Sequence, residues 1–306
     1  MVSVLDHVSE GCGIRKTSRL IGVHRETVSR YSLLAGEHAH DLHAVLVACS
    51  PQTREGQCDE PWALVGKKQQ HGDPSDPADS EQGDTWDHVA FDPTHRLVVR
   101  GVPGTRTAGK TDALLQDGHR RTGGCMLDLM VSDAYPAYTP AILHTYGETI
   151  TLPRTGKTGS AQEAVYCGPS RPAYATVPQT RYKGRVVHVE PRMVFGEEEA
   201  VRAARAAAPV STVLNTAFVE RYHGTDRTRN GRKVRRTTCF SKGWQGSHAI
   251  TYCLRYSYNF CWPVRTLRVR QTAGGWQKRI PAMAAGLADH VWSWTEWLTC
   301  PVVQVK

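Results

Sequence analysis

Asn215-Thr216-Ala217-Phe218-Val219-Glu220-Arg221, followed by a basic run over residues 227–236, decides how the rest of the chain is read. The stretch sets a single glutamate in helix-favouring sequence and trails it with arginines. A carboxylate so placed suits a divalent cation facing a phosphodiester, because hard cations take oxygen ligands and arginine pairs with phosphate. On a helix, Thr216, Glu220, His223 and Arg227 share one face. Two earlier segments offer matching aspartates. Asp59 precedes Trp62-Ala63-Leu64-Val65, and Asp133 follows an apolar run over residues 126–131. Carboxylates from two strand ends and a helix can meet at one edge of a sheet. That is the arrangement with which two ions about 4 Å apart serve an in-line displacement at phosphorus.

The 306 residues suffice for one large domain or two smaller ones. A formal net charge of +9 favours a polyanionic partner without requiring one. The nine cysteines (Cys12, Cys49, Cys58, Cys125, Cys167, Cys239, Cys253, Cys261 and Cys300) form no CxxC pair, which argues against a zinc ribbon and for reduced, buried thiols. Residues 1–10 carry acids and a histidine rather than the apolar core of a signal peptide. No apolar run is long enough to span a bilayer. The expectation is a cytoplasmic protein with no membrane partner.

The pattern along the chain is strands, a helix, a strand, then helices, which predicts an α/β domain. Residues 71–84 read as a flexible acidic loop, 86–91 and 96–100 as strands, 107–120 as a helix and 126–131 as a buried strand. Residues 153–184, dense in Gly, Pro, Thr and Ser, read as a loop or insertion, and 185–195 as a strand or hairpin. Residues 197–208 read as a helix, and a second helix carrying Glu220 is expected to begin near Ser211. The expected division is a front module over 1–45, a catalytic domain over 46–250 and a Trp-rich helical tail over 251–306.

The front module reads as a helix-turn-helix over residues 15–31. Gly22 suits the turn, and Val23, Val28 and Tyr31 are expected to pack inward. Arg25, Glu26, Ser29 and Arg30 then face outward, where base edges are read, while Arg15, Lys16 and Arg19 hold phosphates. His24 occupies an N-cap slot that Ser, Thr, Asp or Asn fills better, by roughly 1 kcal/mol.

Cys58-Asp59-Glu60-Pro61-Trp62-Ala63-Leu64-Val65-Gly66-Lys67-Lys68 resembles the first catalytic segment of bacterial DDE transposases, the insertion-sequence-one family and its relatives. Residues 83–92 resemble that family's second strand, and Ser132-Asp133-Ala134-Tyr135-Pro136-Ala137-Tyr138 its second aspartate segment. Residues 215–221 resemble its glutamate helix, and Ser257-Tyr258-Asn259-Phe260-Cys261-Trp262-Pro263 a region downstream of it. The motifs follow the family's order over most of the chain. The resemblance implies a ribonuclease-H-like catalytic domain, two Mg²⁺ or Mn²⁺ ions held by Asp59, Asp133 and Glu220, and cleavage and transfer of an insertion sequence. It implies double-stranded DNA as partner (element ends and target), a nucleoid-associated location and at least a homodimer on DNA. Lys67, Lys68, Arg221, His223, Arg227 and Arg229 are expected to touch DNA. Pro61 sits where a central strand needs a ladder donor, which leaves open a decayed or repurposed copy that only binds DNA. A transcription regulator with a ligand-sensing α/β domain is the other alternative; it requires a closed apolar pocket.

Overall fold

The computed structural model describes residues 1–47, 53–73, 75–124, 127–150, 165–167, 172–234, 237–272 and 274–302. Three helices lead: α1 (Val2–Ser9), α2 (Ile14–Ile21) and α3 (Arg25–Leu46). Then come β1 (Glu55–Asp59), β2 (Trp62–Val65), β3 (Gly83–Asp92), β4 (Leu97–Gly104), α4 (Ala108–Arg121), β5 (Leu129–Ser132) and α5 (Tyr138–Tyr146). A short pair, β6 (Glu148–Ile150) and β7 (Val165–Cys167), precedes β8 (Ala173–Thr176), the hairpin β9 (Gln179–Tyr182) and β10 (Arg185–Val189), and β11 (Arg192–Phe195). Three helices follow: α6 (Glu198–Ala207), α7 (Ala217–Arg229) and α8 (Trp244–Cys261). A small pair, β12 (Val269–Arg270) and β13 (Trp276–Gln277), and the helices α9 (Pro281–Ala284) and α10 (Trp294–Thr299) complete the described chain.

The main sheet is mixed. β3 pairs antiparallel with β4 on one side and with β1 and β2 in succession on the other. β5 runs parallel to β1, β8 parallel to β5, and β11 closes antiparallel on β8. The expected insertion at 153–184 is therefore corrected in part. Ala173–Thr176 is a core strand, buried along most of its length, while 151–164 and 168–171 lie outside the described residues. Small Ala side chains let this strand sit between two neighbours, and its flanking prolines and threonines disguise it in the sequence.

Pro61 costs the sheet less than its position suggests. Asp59 pairs with Val89 and Trp62 with Trp86, so the register is unbroken across the proline. The Pro61 carbonyl still accepts the Asp87 N–H at 3.1 Å. One ladder donor is lost, and Asp59 keeps its place.

Side chains alternate across the sheet with period two. Cys58 and Met130 face α4 and α5, in a cluster with Leu114, Tyr138 and Ile142. Gln57, Leu129 and Val131 face the opposite side, toward α6 and α7. Asp59 and Asp133 share that parity, so the fold directs both toward α7.

Residues 1–45 do not stand apart. Leu5, Ala35, Ala39 and Leu42 share one core cluster with Val89 and Phe91 of β3 and with Tyr256 and Phe260 of α8. A Cβ on Gly36 would lie 2.3 Å from the Ala249 carbonyl oxygen, so this glycine permits the close crossing of α3 and α8. The expected tail boundary at 251 falls inside α8. Gly22 does take the left-handed turn, at φ 70°, and His24 does cap α3, its Nδ1 accepting the Glu26 N–H at 3.4 Å.

Behind the sheet lies a buried charge cluster. Arg255 of α8, fully enclosed, sits 3.1 Å from Asp87 Oδ2 of β3 and 3.3 Å from Asp226 Oδ2 of α7. Lys233 bonds the same Asp87 carboxylate and lies 3.9 Å from Asp226. The expected phosphate-binding run is thus partly internal. Arg229 is buried as well, donating to the Leu254 carbonyl and, at 3.3 Å, to Ser257. The Arg229 assignment to DNA is corrected: its charge is spent on backbone and side-chain acceptors of α8.

Two outcomes follow from this cluster. Arg255→Leu leaves two buried aspartates facing one lysine, and urea denaturation should show a loss of about 3–5 kcal/mol; unchanged stability would mean the cluster carries no net pairing. Burial alone would raise the Asp87 pKa, but Lys233 and Arg255 outweigh it and hold the carboxyl at about 2, below its ordinary 3.8. Its stabilising contribution is therefore present above pH 3.8 and lost as pH falls through about 2. Asp87→Asn should flatten the acid limb of the stability curve over that window.

Candidate active site

The site is built at the carboxyl ends of two neighbouring parallel strands. β1 and β5 pair with Cys58 opposite Ser132, so Asp59 and Asp133 are the next residues on each. Asp59 Oδ1 accepts its neighbour Glu60's N–H at 2.8 Å, and Asp133 Oδ1 accepts the Tyr135 N–H at 3.0 Å. Each carboxylate is thereby anchored through one oxygen; the second lies beside His223 for Asp59 and beside Arg106 for Asp133.

The third carboxylate arrives on α7, and the motif around it explains its own geometry. α7 begins at Ala217 rather than near Ser211 because residues before it are used as caps. The Asn215 side chain accepts the Ala217 N–H at 2.9 Å. Gln57, fully buried on β1, accepts the Val219 N–H at 3.2 Å. These acceptors satisfy donors that every helix start leaves open. Gln57 is in turn held by Glu55, which also takes a hydrogen bond from Ser211 at 2.9 Å. The Glu220 carboxylate then accepts from Thr216 Oγ1 and Gln179 Nε2, both at 2.9 Å.

Electrostatics tie the three acids together. Burial pushes the Asp133 carboxyl up, and the like charges of Asp59 and Glu220 push it further, against the Tyr135 N–H and Arg106. Burial opposes ionisation of Asp59 too, but His223, the Glu60 N–H and Arg106 prevail and hold its carboxyl below the usual range. His223 is buried on α7 with Nε2 3.3 Å from Asp59 Oδ2. Glu60 is buried as well, and mainly for that reason its pKa rises to about 7.

One cation serves this group. Arg106, just past β4, donates to Glu60 Oε2 at 3.0 Å and lies 3.5 Å from Asp133 Oδ2. Its guanidinium carbon sits 4.7 Å from the Trp86 ring centroid and 4.0 Å from that of Tyr135. Sequence reading missed Arg106, Glu60, Gln57, Thr216 and Gln179 as members of the site. Period-two spacing would have found Gln57, two residues before Asp59 on the same face; nothing local singles out Arg106 or Gln179.

The donor set is of the kind a hard divalent cation takes, all carboxylate oxygen. Among the described residues, however, no group of three or more His, Cys, Asp or Glu side chains is spaced to hold an ion. The inward oxygens are engaged instead by His223, Arg106, Thr216 and Gln179.

The other expected contact residues fall in several places. Arg25, Glu26 and Arg30 are exposed on α3 and Ser29 is half-buried, while Val28 is buried beneath them with Val23 and Tyr31 against it. Arg221 is exposed and Arg227 half-buried on α7. Lys67 is paired with Asp79 at 2.5 Å, and with Lys68 it borders a cavity of about 740 Å³ shared with the acidic loop. That loop carries 3₁₀ turns at Gln69–His71 and Pro77–Glu81. No helix among the described residues is long and apolar enough to cross a membrane.

No protein-family model and no curated protein matches the chain. Solved structures that it matches include the Mos1 strand transfer complex, at 16% identity over 46% of this chain and 52% of that one, with a TM-score of 0.21. The Mos1 mariner paired end complex with Mn matches at 15% identity over 47% and 54%, TM-score 0.21, and a pre-cleavage Mos1 transpososome at 16% over 44% and 52%, TM-score 0.19. The chain spans about half the length of these structures. A likeness at this level carries no argument about chemistry or partners.

Gln57 supplies a direct check on how α7 is held. Gln57→Leu leaves the buried Val219 N–H without an acceptor, at a cost of about 1–3 kcal/mol. Hydrogen exchange over residues 217–220 should accelerate while the α8 core stays protected. Unchanged protection would show that the helix start is fixed by other contacts.

Proposed function

We propose that this chain is a DDE-type transposase, a metal-dependent DNA nuclease and strand transferase with a ribonuclease-H-like catalytic domain. The observation that carries the reading is the placement of Asp59 and Asp133 side by side at the ends of two parallel strands, on the face toward α7, the helix that carries Glu220. The order of the sequence motifs and the mixed sheet with its central antiparallel strands support it.

In this reading Asp59, Asp133 and Glu220 are the residues that would hold two Mg²⁺ or Mn²⁺ ions. The ions supply nucleophile activation and charge stabilisation at phosphorus when bound. The protein's own groups set the stage. Thr216 and Gln179 hold the Glu220 carboxylate in place until it is recruited, and His223 lies against Asp59 and favours its ionised form. Arg106, clamped between Trp86 and Tyr135, offers its remaining N–H groups to a phosphate oxygen beside Asp133. The chemistry is hydrolysis followed by transesterification. Water oxygen bonds to phosphorus as the 3′ oxygen leaves, and the freed 3′-hydroxyl then attacks a target phosphodiester, releasing its 3′ oxygen.

The exposed residues Arg25, Glu26 and Arg30, with the partly covered Ser29, form the edge of α3 that reads bases in this account. Arg221, Arg227, Lys67 and Lys68 contact the backbone, Lys67 after release from Asp79. Cutting two element ends in concert requires at least two copies. The working location is the nucleoid, in the cytoplasm.

Asp133→Asn is the test. With Mg²⁺ or Mn²⁺ and an element-end duplex, wild type should nick and the variant should lose about 100- to 1,000-fold in rate, of the order lost with one essential charge-stabilising group. Duplex binding by the variant should stay within a few fold. Equal nicking by both proteins would defeat the assignment. Tight end binding with no metal-dependent nicking by wild type would make the chain a DNA-binding protein only.

A further inference from the structure

Residues 262–279 carry five cations, Arg265, Arg268, Arg270, Lys278 and Arg279, and no acid. The segment leaves the end of α8, passes through a 3₁₀ turn at Arg265–Leu267 and folds back as the β12–β13 pair. Its ends are tied by the Val264 N–H donating to the Arg279 carbonyl at 2.9 Å, and Arg279 bonds the Met283 carbonyl at 2.7 Å. The hairpin encloses a concave site of about 420 Å³. Trp262, Val264 and Trp276 give it apolar walls, and Arg265, Arg268 and Lys278 its charge.

Two features call for a ligand. Trp276 is 55% exposed, a large apolar surface that folding alone does not cover. The Arg268 guanidinium carbon lies 4.1 Å from its ring centroid, so a cation sits on the indole while about half of the residue stays exposed. Trp262 is partly buried, stacked under Arg229, and is fixed in place by the core. The volume falls in the range of small-ligand sites, roughly 300–1,000 Å³. An aromatic wall beside an acid-free cationic rim matches one chemistry best: a flat base on the indole with its phosphates on arginine and lysine.

We propose that this hairpin site binds an unpaired nucleotide of a DNA strand, stacking its base on Trp276 and holding the flanking phosphates with Arg265, Arg268 and Lys278. Within a duplex each base face is covered by the neighbouring pairs, so the site discriminates single-stranded DNA from the interior of paired DNA. The proposal does not depend on the carboxylates and holds even if the chain cuts nothing.

The experiment uses the full chain in EDTA, so that cleavage plays no part. Fluorescence anisotropy is read with a labelled oligothymidylate and with a blunt duplex of equal length. Wild type should bind the single strand with quenching of tryptophan emission. Trp276→Ala should weaken single-strand binding about 5- to 100-fold, the range for one base–aromatic stack, and leave duplex binding nearly unchanged. Trp276→Phe should recover most of the loss. Arg265→Ala/Arg268→Ala should weaken binding and lower the salt dependence by about 1.4, two single-strand phosphate contacts' worth. Trp276 is exposed, so its loss leaves the core intact, and circular dichroism checks this. The proposal is overturned if Trp276→Ala binds the oligothymidylate as wild type does. It is also overturned if all variants lose single strand and duplex alike, the mark of a general basic surface. Competition by polyglutamate as effective as by the oligonucleotide would point to an acidic protein partner and overturn it too.

Discussion

The Arg255 guanidinium, enclosed between Asp87 of β3 and Asp226 of α7, is the interaction on which the site's geometry rests. α7 buries Val219 and Tyr222 in the main core with Phe218 against it, and polar contacts at its two ends set its place along the sheet. Its face toward the sheet is fixed at one end by Gln57 and Asn215 and at the other by the Asp226–Arg255 and Arg229–Leu254 bonds. Between those two anchors stand Glu220 and His223. A buried ion cluster is a poor source of net stability, because desolvation offsets most of the attraction. It is a good source of uniqueness, because any sliding of α7 along the sheet would leave a buried charge without its partner.

The second constraint is the alternation of side chains on parallel strands. It sends Asp59 and Asp133 to one face and Cys58 and Ser132 to the other, with no further instruction needed. The result is a crowd of like charges in a part-buried place, and the molecule answers it with internal cations and donors. His223 lies against Asp59, Arg106 spans Glu60 and Asp133, and Thr216 and Gln179 hold Glu220. In the proposed function these partners are what the carboxylates exchange for a divalent cation.

How much of this could be read from residues alone differs element by element. The expected strand over 86–91 and helices over 107–120 and 197–208 correspond to β3, α4 and α6, since local composition and pattern suffice for them. Ala173–Thr176 carries no periodic signal, because four residues between Pro172 and Pro178 are too few to show one and their strand identity comes from two neighbouring strands. The start of α7 was set six residues early, because Asn215 and Thr216 spend their side chains on capping and on Glu220. Arg229 and Lys233 looked like a phosphate-binding run, and only the position of α8 and Asp87 turns them inward. Arg106 could not be found at all, as its role depends on three segments far apart in the chain.

The central claim is that Asp59, Asp133 and Glu220 form one divalent-cation site. Crystals grown in Mn²⁺, with anomalous scattering to locate it, test this most directly. The account predicts strong density between Asp59 and Asp133, with Glu220 turned away from Gln179 toward the ion. Ordered carboxylates with no manganese between them at millimolar concentration, or manganese bound only elsewhere, would contradict it.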